Sequence, residues 1–120
     1  MEMTLFTEIV IDSAHQLKGY DGKCSRIHGH SWLLKCWCKG DDKQKDEIGI
    51  LFDFTNLKKF IGEELDHFII NDKIDVNPTA ENISLWIYKK LKEKYPDLQF
   101  RVRLYETAVL KETYCERGDF

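Results

Sequence analysis

Three of the chain's four histidines, His15, His28 and His30, fall in one short stretch, and Cys24 stands between the first two. His28 and His30 flank Gly29. In an extended strand, residues i and i+2 point to the same side, so these two imidazoles can converge on one point while His15 arrives from a neighbouring strand. Three neutral imidazoles with one position left over describe a catalytic zinc centre, whereas structural zinc is usually closed by four protein ligands. Zinc suits the set best, although copper, nickel or iron would also accept it. Cys24 is near enough in sequence to be either a fourth ligand or a reactive thiolate beside the metal. The residues alone leave both roles open.

Two further sites carry chemistry by their context. Glu106 continues the alternation Leu98, Phe100, Val102, Leu104, which places a carboxylate at the end of an apolar face. A charge there must be paired or must have reached solvent, and one suitable partner is the N–H edge of a guanidine-like ligand. Asp66 and His67 follow an apolar helical stripe. Within one helical turn such neighbours do not easily bond side chain to side chain, but both can reach a third group at the helix end. His67 could accept a proton from Cys24, with Asp66 orienting the pair. The plainer reading is a histidine favourably placed at a helix C-terminus.

Positioning these groups requires strands and helices in a definite order. Met3 to Asp12 alternates, with Leu5, Thr7, Ile9 and Ile11 on one side, and reads as a strand. Lys18 to Lys23 is a loop. Ser31 to Lys39 is a second strand with Trp32, Leu34, Cys36 and Cys38 on one face, followed by a polar turn from Gly40 to Gly49. Asp53 can cap a helix whose stripe is Phe54, Leu57, Ile61, Leu65 and Phe68. Thr79 caps the next, with Ile83, Trp86, Ile87 and Leu91 on its apolar side and Pro96 ending it. Leu98 to Glu106 and Ala108 to Cys115 complete the series as strands. The order ββααββ predicts an α+β fold: a four-stranded antiparallel sheet with two helices on one face, in a single domain over residues 1–120. Its two open edges invite oligomerisation.

Composition narrows the function class. A net charge of −3, with acids and bases interspersed, gives no basic stripe for nucleic acid. No apolar run approaches a membrane span, and the alternating, acid-bearing start is unlike a signal peptide. A cytosolic protein with free thiols is expected, so Cys36 and Cys38 read as small buried residues rather than a metal pair.

Taken in order, six motifs resemble the 6-pyruvoyltetrahydropterin synthase superfamily. They are Ser13-Ala14-His15, Cys24-x3-His28-Gly29-His30, Gly49-Ile50-Leu51-Phe52-Asp53-Phe54, Leu65-Asp66-His67-x3-Asn71, Pro78-Thr79-Ala80-Glu81-Asn82 and Tyr105-Glu106-Thr107. The three-residue gap between Cys24 and His28 looks like the 6-carboxytetrahydropterin synthases of the queuosine pathway, whereas the pyruvoyl-forming branch typically has a longer gap. A third branch, which releases a hydroxymethyl pterin, has glutamate in place of the cysteine. The resemblance implies a tunnelling fold, with three subunits closing a twelve-stranded barrel and two trimers forming a homohexamer. It implies Zn2+ on His15, His28 and His30, and a pterin triphosphate substrate anchored by Glu106 with Thr79 nearby. It also implies a proton-transfer set of Cys24, His67 and Asp66 across a subunit interface. Among the basic residues near the cysteine, Arg26 is the candidate for the triphosphate.

Overall fold

The computed structural model describes residues 1–22 and 25–120. Four strands, β1 (Glu2–His15), β2 (His28–Asp41), β3 (Gln99–Tyr105) and β4 (Tyr114–Gly118), form one antiparallel sheet in the order β1-β2-β3-β4. The first two strands run longer than the alternation predicts. Their register pairs Ser13 with His30 and His15 with His28, so the strand extensions are the segments that carry the histidines. Odd residues of β1 and even residues of β2 and β3 face the helices, which buries Ile11, Trp32, Leu34, Cys36, Phe100, Val102 and Leu104 almost completely.

The helices cover that face. A π-helical stretch, Lys58–Gly62, runs into a single α-turn, α1 (Glu63–Leu65). Leu57, Ile61 and Leu65 of the expected stripe are buried, and each contributes roughly 2 kcal/mol through removal of its side chain from water. Phe54 and Phe68, the stripe's two ends, lie outside the helix and are exposed. Asp53 caps an earlier turn instead, accepting from the backbone N–H and hydroxyl of Thr55. The longer helix α2 (Ala80–Lys94) starts where expected: Thr79 accepts from the backbone N–H of Asn82 at 3.1 Å. Ile83, Ile87 and Leu91 then pack onto β3 and β4.

Two departures from the sequence reading have local causes. The last strand begins at Tyr114, not Ala108. The Ala108 N–H is taken by the Ser31 carbonyl, the chain then turns, and Lys111 adopts a positive φ of 55°. Val109 and Leu110 are left in solvent. The first helix stops at Leu65, where Asp66 becomes extended (ψ 132°) and His67 takes a left-handed φ of 61°. The chain then doubles back along the free edge of β1. The His67 N–H donates to the Asp12 carbonyl (2.6 Å), and the Ala14 N–H donates to the Phe68 carbonyl (3.0 Å).

Cys36 and Cys38 are free thiols whose pKa burial pushes up to about 12. They stay protonated and behave as core residues. Among the described residues, no helix is long and apolar enough to cross a membrane.

Candidate metal centre and its surroundings

At the His15–His28 end of the sheet, two strands and the exit of a third bring four side chains together. His15 closes β1, while His28 and His30 open β2 on the same face. Glu106 follows Tyr105, the last residue of β3, which pairs with Leu33. One ligand atom from each of His15, His28, His30 and Glu106 lies within 4.8 Å of the others. The three imidazole rings stand nearly edge to face, with centroids 4.5 to 5.1 Å apart. Trp32 packs edge-on against both His15 and His30, with centroids 4.9 and 5.1 Å away. Its indole N–H donates to the Ser13 carbonyl at 3.3 Å, so the floor of the site is rigid as well as apolar.

The outer ring nitrogens are committed. His15 Nδ1 donates to the Pro78 carbonyl at 2.8 Å, and His28 Nδ1 donates to the Arg26 carbonyl at 2.7 Å. In the neutral ring this bond leaves Nε2 unprotonated, and the two Nε2 atoms lie 3.0 Å apart. Two lone pairs facing each other at that distance repel unless a cation or proton joins them. His30 Nε2 lies 3.1 Å from Glu106 Oε1 but is not aligned for a hydrogen bond, and it is a buried nitrogen with no hydrogen-bond partner among the described residues. Burial lowers the pKa of both His15 and His30; for His15 the Pro78 bond, and for His30 the Glu106 charge, pulls partly the other way. Neutral imidazoles whose far nitrogens are fixed by carbonyls form a metal-binding set, and the residues present fit a divalent cation.

The remaining predicted site residues are placed as follows. Cys24 lies outside the described residues. The Arg26 side chain is exposed, and its backbone carbonyl is the group that orients His28. Thr79 caps α2, directly after the Pro78 that orients His15. Asp66 and His67 do bond side chain to side chain, Oδ2 to Nδ1 at 2.8 Å, contrary to the helical expectation. The reason is that His67 has already left the helix. Partial burial pushes the Asp66 carboxyl up, but the Asp12 N–H (2.8 Å) and the His67 ring hold it below the ordinary carboxylate value. This pair lies on the free edge of β1 and does not belong to the four-ligand group. An open depression of about 580 Å³, lined by Asp12, His30, Ser31, His67 and Phe68, connects the two. On the other side, a depression of about 560 Å³ is lined by Ala80, Glu81, Leu104, Glu106 and Cys115. A third cavity, of about 620 Å³ between residues 44–56 and 94–98, contains no histidine.

The Pro78 and Arg26 carbonyls and the Trp32 floor were not legible as site components in the sequence. Backbone carbonyls have no residue signature, and Trp32 reads simply as core.

Residues 4–117 match the family described as 6-pyruvoyl tetrahydropterin synthase. The chain is 32% identical over 117 residues to a 6-carboxy-5,6,7,8-tetrahydropterin synthase from Synechocystis, spanning 92% of this chain and 91% of that one. It is 33% identical over 99 residues to a dihydroneopterin monophosphate aldolase from Pyrococcus furiosus, spanning 80% and 81%. The solved structure of Caenorhabditis elegans 6-pyruvoyl tetrahydropterin synthase superposes with a TM-score of 0.76 at 22% identity, covering 100% of this chain and 97% of that one.

Proposed function

This chain belongs to the 6-pyruvoyl tetrahydropterin synthase family, and from that membership we propose that it is a zinc-dependent 6-carboxy-5,6,7,8-tetrahydropterin synthase. Its substrates are 7,8-dihydroneopterin triphosphate and one water, and its products are 6-carboxytetrahydropterin, acetaldehyde and triphosphate, in the cytosol and on the route to queuosine. The observation that carries the metal half of this reading is the pair of facing Nε2 atoms of His15 and His28, each freed by a carbonyl on the opposite nitrogen.

Within this reading the chain's own residues divide the labour. His15, His28 and His30 hold zinc, which supplies Lewis acidity toward the substrate's side-chain hydroxyls. Glu106 accepts hydrogen bonds from the N–H edge of the pterin ring. Cys24 takes a proton from the carbon beside those hydroxyls, and His67, held by Asp66, relays it. Arg26 contacts the triphosphate, and Thr79 lies near the ring. The active unit is a homohexamer of two stacked trimers, in which Cys24 of one subunit meets Asp66 and His67 of another.

The names of the relatives cover more than one outcome for related substrates, so the product decides between branches. Incubation with dihydroneopterin triphosphate is expected to release acetaldehyde. Formation of a pyruvoyl pterin without acetaldehyde would assign the chain to the pyruvoyl-forming branch. Replacement of Cys24 separates both from a non-catalytic zinc protein. Cys24→Ala is expected to retain zinc and lose turnover, whereas a large loss of zinc affinity would make Cys24 a closing ligand.

A further inference from the structure

Past His15 no strand among the described residues lies beside the chain on the edge away from β2, yet its polar groups there are answered. Even-numbered residues at this end of β1 turn their N–H and C=O toward the free edge. Asp12 and Ala14 meet the returning chain at residues 66–68. The next two even positions meet side chains. Asn71 Oδ1 accepts from the Gln16 N–H at 2.8 Å, and Asn71 Nδ2 donates to the Gln16 carbonyl at 2.9 Å. Asn77 repeats the arrangement on Lys18, at 2.8 and 3.0 Å. A carboxamide offers an acceptor and a donor side by side, so each asparagine gives one backbone residue the paired bonds that an antiparallel strand would give.

Asn71 bonds to the residue after His15, and Asn77 precedes the residue whose carbonyl aims it. Asn77 precedes Pro78, whose carbonyl holds His15 Nδ1, and the Asn77 carbonyl is itself fixed by Asn82 Nδ2 at 2.9 Å. Gln16, held by Asn71, follows His15 directly and extends its own side chain to the Ser25 carbonyl at 3.0 Å. Backbone on both sides of the His15 ring is thus tied by the two asparagines. Their amides bond to Gln16 and Lys18 rather than to a ligand atom.

We infer that Asn71 and Asn77 are positioning residues for the metal centre, clamping residues 16 and 18 so that His15 and the Pro78 carbonyl keep their mutual register. A ligand at a strand end otherwise frays with the strand. Loss of such outer support costs metal affinity roughly 10- to 100-fold in other sites. The inference rests on the metal reading above.

The test compares Asn71→Ala and Asn77→Ala with the isosteric Asn71→Asp and Asn77→Asp, which keep the acceptor and lose the donor. Asn56→Ala is the control. Its amide bonds to the Tyr95 hydroxyl beyond the Asp41 end of β2, at the opposite end from the histidines. Zinc affinity is measured by competition with a chromophoric chelator, and ligand geometry by the visible spectrum of the Co2+-loaded protein. The clamp predicts about tenfold weaker zinc binding in the alanine variants, a smaller loss in the aspartate variants, and an altered Co2+ spectrum in both. The control is expected to lower stability and leave affinity and spectrum unchanged. Parent-like affinity and spectrum in the folded clamp variants would overturn the inference, as would a control that weakens zinc equally. If the alanine variants do not fold, the aspartate variants carry the same comparison. A parent that binds neither ion would overturn the metal centre itself, and the clamp with it.

Discussion

Glu106 shows how one carboxylate can be reached by two chemistries. It lies 3.1 Å from His30 Nε2, close enough to join a cation's ligands, and it also lines the depression beside the start of α2. If it anchors the pterin, Glu106→Gln should raise KM roughly tenfold, the scale of a lost charge-assisted hydrogen bond, while zinc content stays unchanged. Loss of zinc in that variant would make Glu106 a ligand instead. The buried imidazoles give a pH signature. His15 and His30 titrate below the usual 6.5, chiefly because burial disfavours the charged ring. Below 6.5 the unfolded chain therefore binds more protons than the folded one, so stability is full above that value and is lost as pH falls through the depressed folded values. The urea midpoint of the metal-free protein should drop between just above and well below 6.5, and a flat midpoint would contradict the burial of neutral rings. The histidine cluster itself was legible because its geometry is local: i and i+2 on a strand, with a third residue on the adjoining strand. The asparagine clamps were not, because each joins residues more than fifty positions apart through groups that in sequence look like ordinary turn formers.

At the level of elements, the strands and their order along the chain followed from alternation, while their ends followed from contacts that alternation does not encode. Ala108-Val109-Leu110 has strand-like composition, yet a single bond from Ala108 to Ser31 turns it aside, and the sheet resumes only at Tyr114. The five-residue β4 is then held by backbone fit at its far end. Gly118, at φ 158°, lies so close to β3 that a Cβ would come within 2.3 Å of the Phe100 carbonyl and 2.5 Å of Arg101 Cα. The next residue, Asp119, accepts from the Phe100 N–H at 2.9 Å and donates its own N–H to the Phe100 carbonyl at 2.7 Å. Gly118→Ala should therefore cost about 2–3 kcal/mol by pushing backbone from backbone, read as a lower urea midpoint. A neutral substitution would mean that β4 can shift freely.

For the whole molecule, the two edges and the exposed apolar residues Phe6, Val10, Val109 and Leu110 are among the surfaces available to further copies. If β1 pairs with a partner's edge, Glu8→Pro should reduce the assembly to single chains by native mass measurement with the fold retained, since proline removes a donor that points away from β2. An unchanged mass would place the contact elsewhere. The returning segment and its two asparagines add a consequence for how such copies can align. From Asp12 onward the edge of β1 is already answered, so among the described residues an incoming strand on this edge has Glu2 to Val10 to pair with. An extended edge normally tolerates sliding by two residues at a time, and it is the starting point for fibre growth. Here the slide has a stop at one end. A neighbouring chain that pairs on this edge cannot slide past Val10 toward the histidines.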